Sequence, residues 1–173
     1  MTNTQNNNGN NTQTSLDVLL DQGLANRLTV VIGSDASKRS KALNQWLARR
    51  NYPVLQIEGP EGNDGDGCLR SIIERFAEAG LLDPQTVSEM STADCQHALV
   101  TLINRLAQLD RDLLIVISDY EPCDRGDQVL TFLLEHLPNQ VHLYVCSEDL
   151  PGFSCIPRLR VRRQLQMIDT NDD

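Results

Sequence analysis

Four short apolar runs, each separated from the next by helix-patterned sequence, constrain this chain more than anything else in it. They are residues 28–32 (LTVVI), 53–57 (PVLQI), 113–117 (LLIVI) and 141–146 (VHLYVC). Each has the length of a strand, and the third carries no polar residue. A strand that is apolar on both faces must be covered on both, which is the habit of parallel sheets packed between helices. The intervening segments have helical spacing: Leu43, Trp46 and Leu47 in residues 41–49, and Leu69, Ile72, Ile73 and Phe76 in residues 69–79. Residues 92–109 place Ala98, Leu99, Leu102, Ile103 and Leu106 on one face, and residues 127–137 form a further helix. Ser15 caps a short helix over residues 16–24, with Asp17 in its first turn. Residues 158–167 alternate Arg and Gln with Leu, Val and Met, the period of a half-buried strand at a sheet edge. The expected fold is therefore α/β, a three-layer domain with helices on both faces of a mainly parallel sheet of about five strands.

The domain spans residues 15–168. Before it, residues 1–14 (MTNTQNNNGNNTQT) have almost no apolar side chain and read as a disordered Asn-rich tail. After it, residues 169–173 read as an acidic tail.

Ligands on sheets of this kind sit beyond the carboxyl ends of the strands. There the chain has the outline of a phosphate-binding loop, GSDASKRS, from Gly33 to Ser40. The working form, GxxxxGK[ST], aims backbone N–H groups at phosphate oxygens; its Lys reaches the outer phosphates and its Ser or Thr holds Mg²⁺. Gly33 and Ser40 fit the first and last positions, but Lys38 replaces the second Gly and Arg39 replaces the Lys. A side chain is disfavoured where the loop needs glycine geometry, and Arg does not stand in for Lys at a compact phosphate site.

The formal net charge of −9 opposes nucleic-acid binding by bulk electrostatics. With no apolar run long enough to cross a bilayer and a polar start unlike a signal peptide, the expectation is a cytoplasmic protein without membrane contact. Cys68, Cys95, Cys123, Cys146 and Cys155 form no C-x-x-C pair, and His97, His136 and His142 lack ligand spacing. Free thiols and no metal site are expected. Glu58, Glu61, Asp64 and Asp66 do not follow the calcium-loop spacing and read as a solvated loop. No nucleophile triad is marked.

Several stretches resemble a known family. They are RLTVVIGSDASKRSKALNQW, GNDGDGCLRSIIERF, LLIVISDYEPCD, FLLEHLPNQVHLYVCSEDLP and RLRVRRQLQMID, and they run from about Leu24 to Ile168. Together they resemble the ATPase domain of the MalT-like, LuxR-class transcription activators of the STAND group of signalling NTPases. The resemblance implies an ATP- and Mg²⁺-binding domain, but the chain departs from the family at its functional positions. The family's first loop is a Pro-Ala-Gly-aromatic-Gly-Lys-Thr run; here Ser34 to Ser40 have lost both inner glycines and the Lys. Its next strand ends in two acids, the first placed for Mg²⁺; here Ser118 stands there and only Asp119 remains. Its fourth strand ends in Ser-Arg, a γ-phosphate sensor; here it is Ser147-Glu148, with reversed charge. The family's winged-helix, sensor and helix-turn-helix segments have no counterpart in these residues, so the expectation is a core domain by itself.

Two functional readings follow. In one, the chain is a non-catalytic pseudo-ATPase without cofactor that acts by protein–protein interaction. Its partner would be a protein, for example a full-length regulator of the same family, and its pathway transcription regulation. In the other, it is an ATP-binding switch or weak ATPase. Gly33, Arg39, Ser40 and Asp119 are the residual nucleotide-binding residues of that reading, with no catalytic or metal residue assigned. Asp119 reads either as a leftover water-positioning acid or as a carboxylate satisfied at a strand end, and Tyr120 as packing. Arg158, Arg160, Arg162 and Arg163 read either as a contact for an acidic partner or nucleic acid, or as the charged face of an edge strand.

Overall fold

The computed structural model describes residues 8–59 and 65–171. Five strands form one sheet in the order β2-β3-β4-β1-β5: β1 (Leu28–Ile32), β2 (Val54–Glu58), β3 (Leu113–Tyr120), β4 (Val141–Ser147) and β5 (Leu165–Asp169). Every pairing is parallel. Parallel strands need crossover connections, and helices supply them on both sides of the sheet. The helices α1 (Asn8–Gly23) and α2 (Ala36–Ala48) cover one face. The helices α3 (Gly65–Glu78), α4 (Pro84–Thr92), α5 (Cys95–Ala107), α6 (Asp124–His136) and α7 (Ile156–Val161) cover the other. This is the expected α/β three-layer, P-loop NTPase-like fold.

The apolar strand runs are explained by where their side chains go. In β3, Leu113, Ile115 and Ile117 enter the larger core under α3, α5 and α6, while Leu114 and Val116 enter the smaller core under α1 and α2. In β4, Val141, Leu143 and Val145 face the first core, and Tyr144 and Cys146 the second. The smaller core is closed by Trp46, stacked on Tyr144 with ring centroids 5.5 Å apart. The indole Nε1–H donates to Asp21 at 2.8 Å, and the Tyr144 hydroxyl donates to the carbonyl of Leu20 at 2.6 Å. Arg49 and Arg50 at the end of α2 pair with Asp17 and Asp21. The contacts to Asp17, Leu20 and Asp21 hold α1 against α2 and the sheet.

Four expectations change. The region 158–167 is not one strand: it is α7, then a left-handed residue at Arg163 (φ 55°), then β5. Its alternation of polar and apolar residues is fortuitous, because Leu159 is buried and Val161 is 85% exposed. Pro157 in the first turn of α7 is the signal that a helix starts there. The second change is that α1 starts at Asn8 and not after Ser15. Extending a helix already anchored through Leu16, Leu19 and Leu20 is easier than nucleating one, so Asn and Thr do not stop it. Residues 1–7 of the expected tail lie outside the described residues, as do Glu61, Asp64 and the side chain of Asp66. Thirdly, the expected helix of residues 92–109 is α5, which starts at Cys95 under the Asp94 cap, whose carboxylate accepts the His97 N–H, and a separate helix not expected from the sequence, α4, ends just before it at Thr92. Lastly, Asp169 to Asn171 are not a loose tail. The Thr170 N–H continues the β5 ladder to the Ile32 carbonyl at 2.8 Å, and Asn171 Oδ1 accepts from the N–H and hydroxyl of Ser34.

No helix among the described residues is long and apolar enough to cross a membrane. Replacing Tyr144 with Phe keeps the stacked ring but strands the Leu20 carbonyl in an apolar layer. The expected cost is about 1–3 kcal/mol of stability, read as a lower urea midpoint with unchanged m.

Candidate functional site

The chain leaves β1 for α2 on one face of the sheet and leaves β4 for α7 on the other, so the carboxyl ends of β1, β3 and β4 meet at the crevice where connections diverge. Gly33, Ser118-Asp119 and Ser147-Glu148 all lie there.

The segment from Gly33 to Ser40 is mostly helix. Only Gly33, Ser34 and Asp35 connect β1 to α2, which begins at Ala36. Asp35 makes this possible as the N-cap: its carboxylate accepts the Lys38 N–H at 3.0 Å, and its carbonyl accepts the Arg39 N–H at 3.1 Å. The Ser34 N–H is taken by Asn171. The Lys38 ammonium turns away to donate to the Thr170 carbonyl at 2.9 Å. A Cβ on Gly33 would collide with the Thr170 hydroxyl, so this glycine serves close packing against the chain after β5.

Arg39 is folded inward and is 4% exposed. Its guanidinium donates to the Gly33 carbonyl through Nη1 and to Asp119 through Nη2 at 3.4 Å. Asp119 is 57% exposed, so the ion pair adds little, and the bond to the loop carbonyl is the main anchor. The structure thus brings Gly33, Arg39 and Asp119 together. Ser40 faces elsewhere, into an open cleft of about 940 Å³ between α2, β2 and α3 that Asp119 also borders. Carboxylates outnumber cations on its walls: Glu58, Glu74, Glu78 and Asp119 against Arg70 and Arg75, with Arg75 bound to Glu78 at 2.6 Å. Exposed Glu121, Glu148 and Asp149 add negative charge at the same end of the sheet.

This donor set does not fit Mg²⁺-ATP. Three backbone N–H groups of the loop are committed to protein acceptors, a guanidinium occupies its inner side, and the nearest cleft is acidic. Arg39 Nε and Ser147 Oγ are buried without a hydrogen-bond partner among the described residues, but both lie too deep for a ligand to reach without repacking.

Asp119 holds a left-handed conformation (φ 50°) where the β3–β4 register shifts, and its carbonyl lies where a Cβ on Gly59 would be. Tyr120, next in the chain, is buried and donates to Asp127 at 2.7 Å; burial first, and then that carboxylate, push its phenol far above the ordinary range. The other Asp127 oxygen accepts the Gly152 N–H at 2.9 Å, fixing the β4–α7 loop. Among the described residues no group of His, Cys, Asp or Glu is placed to hold a metal ion, and the five cysteines form no disulfide. Sequence reasoning missed Asp35, Thr170 and Asn171. Asp35 was legible as a capping residue three positions before Lys38, but Thr170 and Asn171 look like tail residues until β5 brings them beside the loop.

No protein-family model matches the sequence, and no curated protein matches it. Solved structures do match by shape. A chain of the Drosophila ORC structure bound to AT-rich DNA and Cdc6 has a TM-score of 0.55 at 9% identity, over 92% of this chain and 57% of that one. The crystal structure of Cdc6p from Pyrobaculum aerophilum has a TM-score of 0.55 at 11% identity, over 98% of this chain and 46% of that one. The chain spans about half the length of these chains, and at such identities the likeness shows the fold alone, an α/β domain with a five-stranded parallel sheet.

Replacing Asp35 with Ala removes the cap that starts α2. The expected loss is about 1 kcal/mol of stability, within a range of about 0.5–2, read by denaturant unfolding. The buried thiols give a pH dependence. Burial pushes Cys68 up to about 12, with Cys123, Cys95 and Asp127 adding to the effect. Burial likewise pushes Cys146 up to about 12, partly opposed by Arg39. A thiol held neutral in the fold but free to ionise when unfolded leaves stability intact below its ordinary pKa of 9.0 and erodes it as pH climbs toward about 12. Thermal melts from pH 8 to pH 11 should therefore show falling midpoints above about pH 9, less steeply in Cys146→Ala.

Proposed function

We propose that this chain is a non-catalytic regulatory protein that keeps a P-loop NTPase-like fold and works by binding another protein. One observation carries the reading: the loop from Gly33 to Ser40 is closed from within, by the Asp35 cap, the Arg39 guanidinium and the Asn171 side chain. A triphosphate would have to displace all three and then meet an acidic cleft. The resemblance to the STAND regulators supports transcription regulation as the setting, with a full-length regulator of that type as a candidate partner. The fold neighbours support a binding role only by analogy: the Drosophila chain is seen in an assembly bound to DNA and Cdc6.

The second reading, an ATP-binding switch, draws on Gly33, Arg39 and Asp119 meeting at the correct end of the sheet and on the cleft beside Ser40. The test is a fluorescent ATP analogue titrated with Mg²⁺ into the protein, into Arg39→Ala, and into the double variant Lys38→Gly, Arg39→Lys. Flat titrations in all three up to about 1 mM nucleotide are expected, because the early start of α2 and not merely two side chains removes the cradle. Stoichiometric micromolar binding by the unmodified protein, abolished in Arg39→Ala, would overturn the pseudo-ATPase reading in favour of the switch. Affinity purification from the native host with mass spectrometry then identifies the partner.

A further inference from the structure

The two edges of the sheet are treated differently. At the β2 edge, Pro53 turns its carbonyl to the Leu114 N–H, so Gln56, of opposite parity, turns its backbone outward. That outward carbonyl is occupied: Arg75 Nε donates to it at 2.8 Å. At the β5 edge, Gln164 accepts from the Leu28 N–H and Thr170 donates to the Ile32 carbonyl, so even-numbered residues of this strand face β1. Leu165, Met167 and Asp169 therefore turn their backbone N–H and C=O groups away from the sheet, and no described residue takes those of Met167.

Beside this open edge lie α7 and the turn that ends it, with four arginines between residues 158 and 163, on a chain whose net charge is −9. Arg158 is paired with Glu135. Among the described residues Arg160 reaches only the Met167 thioether, at 3.4 Å, and Arg162 and Arg163 have no carboxylate partner. Arg162 lies close enough to Arg27 to disfavour its charge, after burial. Two apolar side chains sit among these cations: Val161, at 85% the most exposed large hydrophobic residue among those described, and Met167 at 36%. Arginine and methionine around a solvent-facing apolar residue is the composition of a protein-binding surface more than of a phosphate-tracking groove. Arg163 carries a second sign. It holds φ 55°, at the helix C-terminus where glycine is the favoured residue, and so keeps a positive side chain at a cost in stability.

We propose that the open β5 edge, with α7 beside it, docks an extended acidic segment of a partner protein, which adds to the sheet as a sixth strand. Main-chain hydrogen bonds to Met167 supply the register, and Arg160, Arg162 and Arg163 select for carboxylates. A second copy of this chain pairing edge to edge would run antiparallel and is the competing occupant; dimerisation of the chain without peptide, lost in Met167→Pro, would overturn the proposal in its favour. The proposal deepens the binding role given above, but its geometry is independent of the nucleotide loop. A positive nucleotide titration would leave it standing, and its own failure would leave the closed loop untouched.

The probe is a fluorescein-labelled ten-residue peptide alternating glutamate with valine, titrated by anisotropy into the full chain, with a thymidine oligonucleotide of equal charge as the competing class. Peptide binding with a dissociation constant on the order of 10–100 µM, weakening several-fold between 50 and 200 mM salt, is expected; the oligonucleotide should bind at least tenfold more weakly. Met167→Pro removes only the outward N–H, so it should fold yet lose peptide binding by tenfold or more. Arg163→Gly should be as stable as the parent or more so, and bind the peptide several-fold less tightly. Arg160→Glu with Arg162→Glu should abolish binding. Unchanged affinity across these variants overturns the proposal, as does tighter binding of the oligonucleotide. A Met167→Pro chain that cannot fold also overturns it, because the N–H would then be part of the sheet.

Discussion

Three adjacent strands without a polar face, β3, β4 and β1, impose the rest of the architecture. Each carries apolar side chains into both cores, so helices must lie on both sides of the sheet, and every connection must run over one layer or the other. Polar residues are thereby confined to the strand ends and the edges. The ends collect Gly33, Asp119 and Ser147; the edges collect Gln56 on one side and the arginine-flanked β5 on the other. Both places where this chain can do something other than fold are consequences of the same burial requirement.

At the carboxyl end the decisive contest is between two uses of the same backbone amides. A phosphate-binding loop leaves its N–H groups unpaired and relies on glycine to let the ligand approach. Here Asp35 offers those amides an intramolecular acceptor at once, with no ordering of a ligand to offset, and α2 starts at Ala36 as a result. Arg39 then falls on the inner side of the helix, where it meets the Gly33 carbonyl in place of a phosphate. The lack of inner glycines and the presence of a capping acid thus have one structural consequence, the early start of α2.

The strands were legible because their information is local: an apolar run of strand length bounded by polar residues has few alternative uses, and Leu113 to Ile117 could hardly be anything but a central strand. The helix α4 was not legible because only Val87 and Met90 give it an apolar side, too few to mark a helical period before α3 and α5 pack against it. The region from Arg158 to Met167 misled because Leu159, Val161, Leu165 and Met167 alternate as in a strand, while Pro157 and the left-handed Arg163 decide otherwise. At the site, the replaced residues were visible one by one, but the partnership of Ser34 with Asn171 spans 137 positions and exists only once β5 lies beside β1.

The charges of the fold follow the same geometry. Acids gather where the strands end, at Glu58, Asp119, Glu121, Glu148 and Asp149, whereas Arg27, Arg158, Arg160, Arg162 and Arg163 gather where β1 and β5 begin. In a nucleotide-binding domain of this architecture the carboxyl end must attract a polyanion, so a negative field there works against the ligand before any contact forms. The amino end carries the opposite field beside an unpaired strand. The positive side chains thus gather at the far end of the sheet from the strand ends. There they face backbone donors and acceptors in strand register, a surface whose natural complement is an acidic peptide chain.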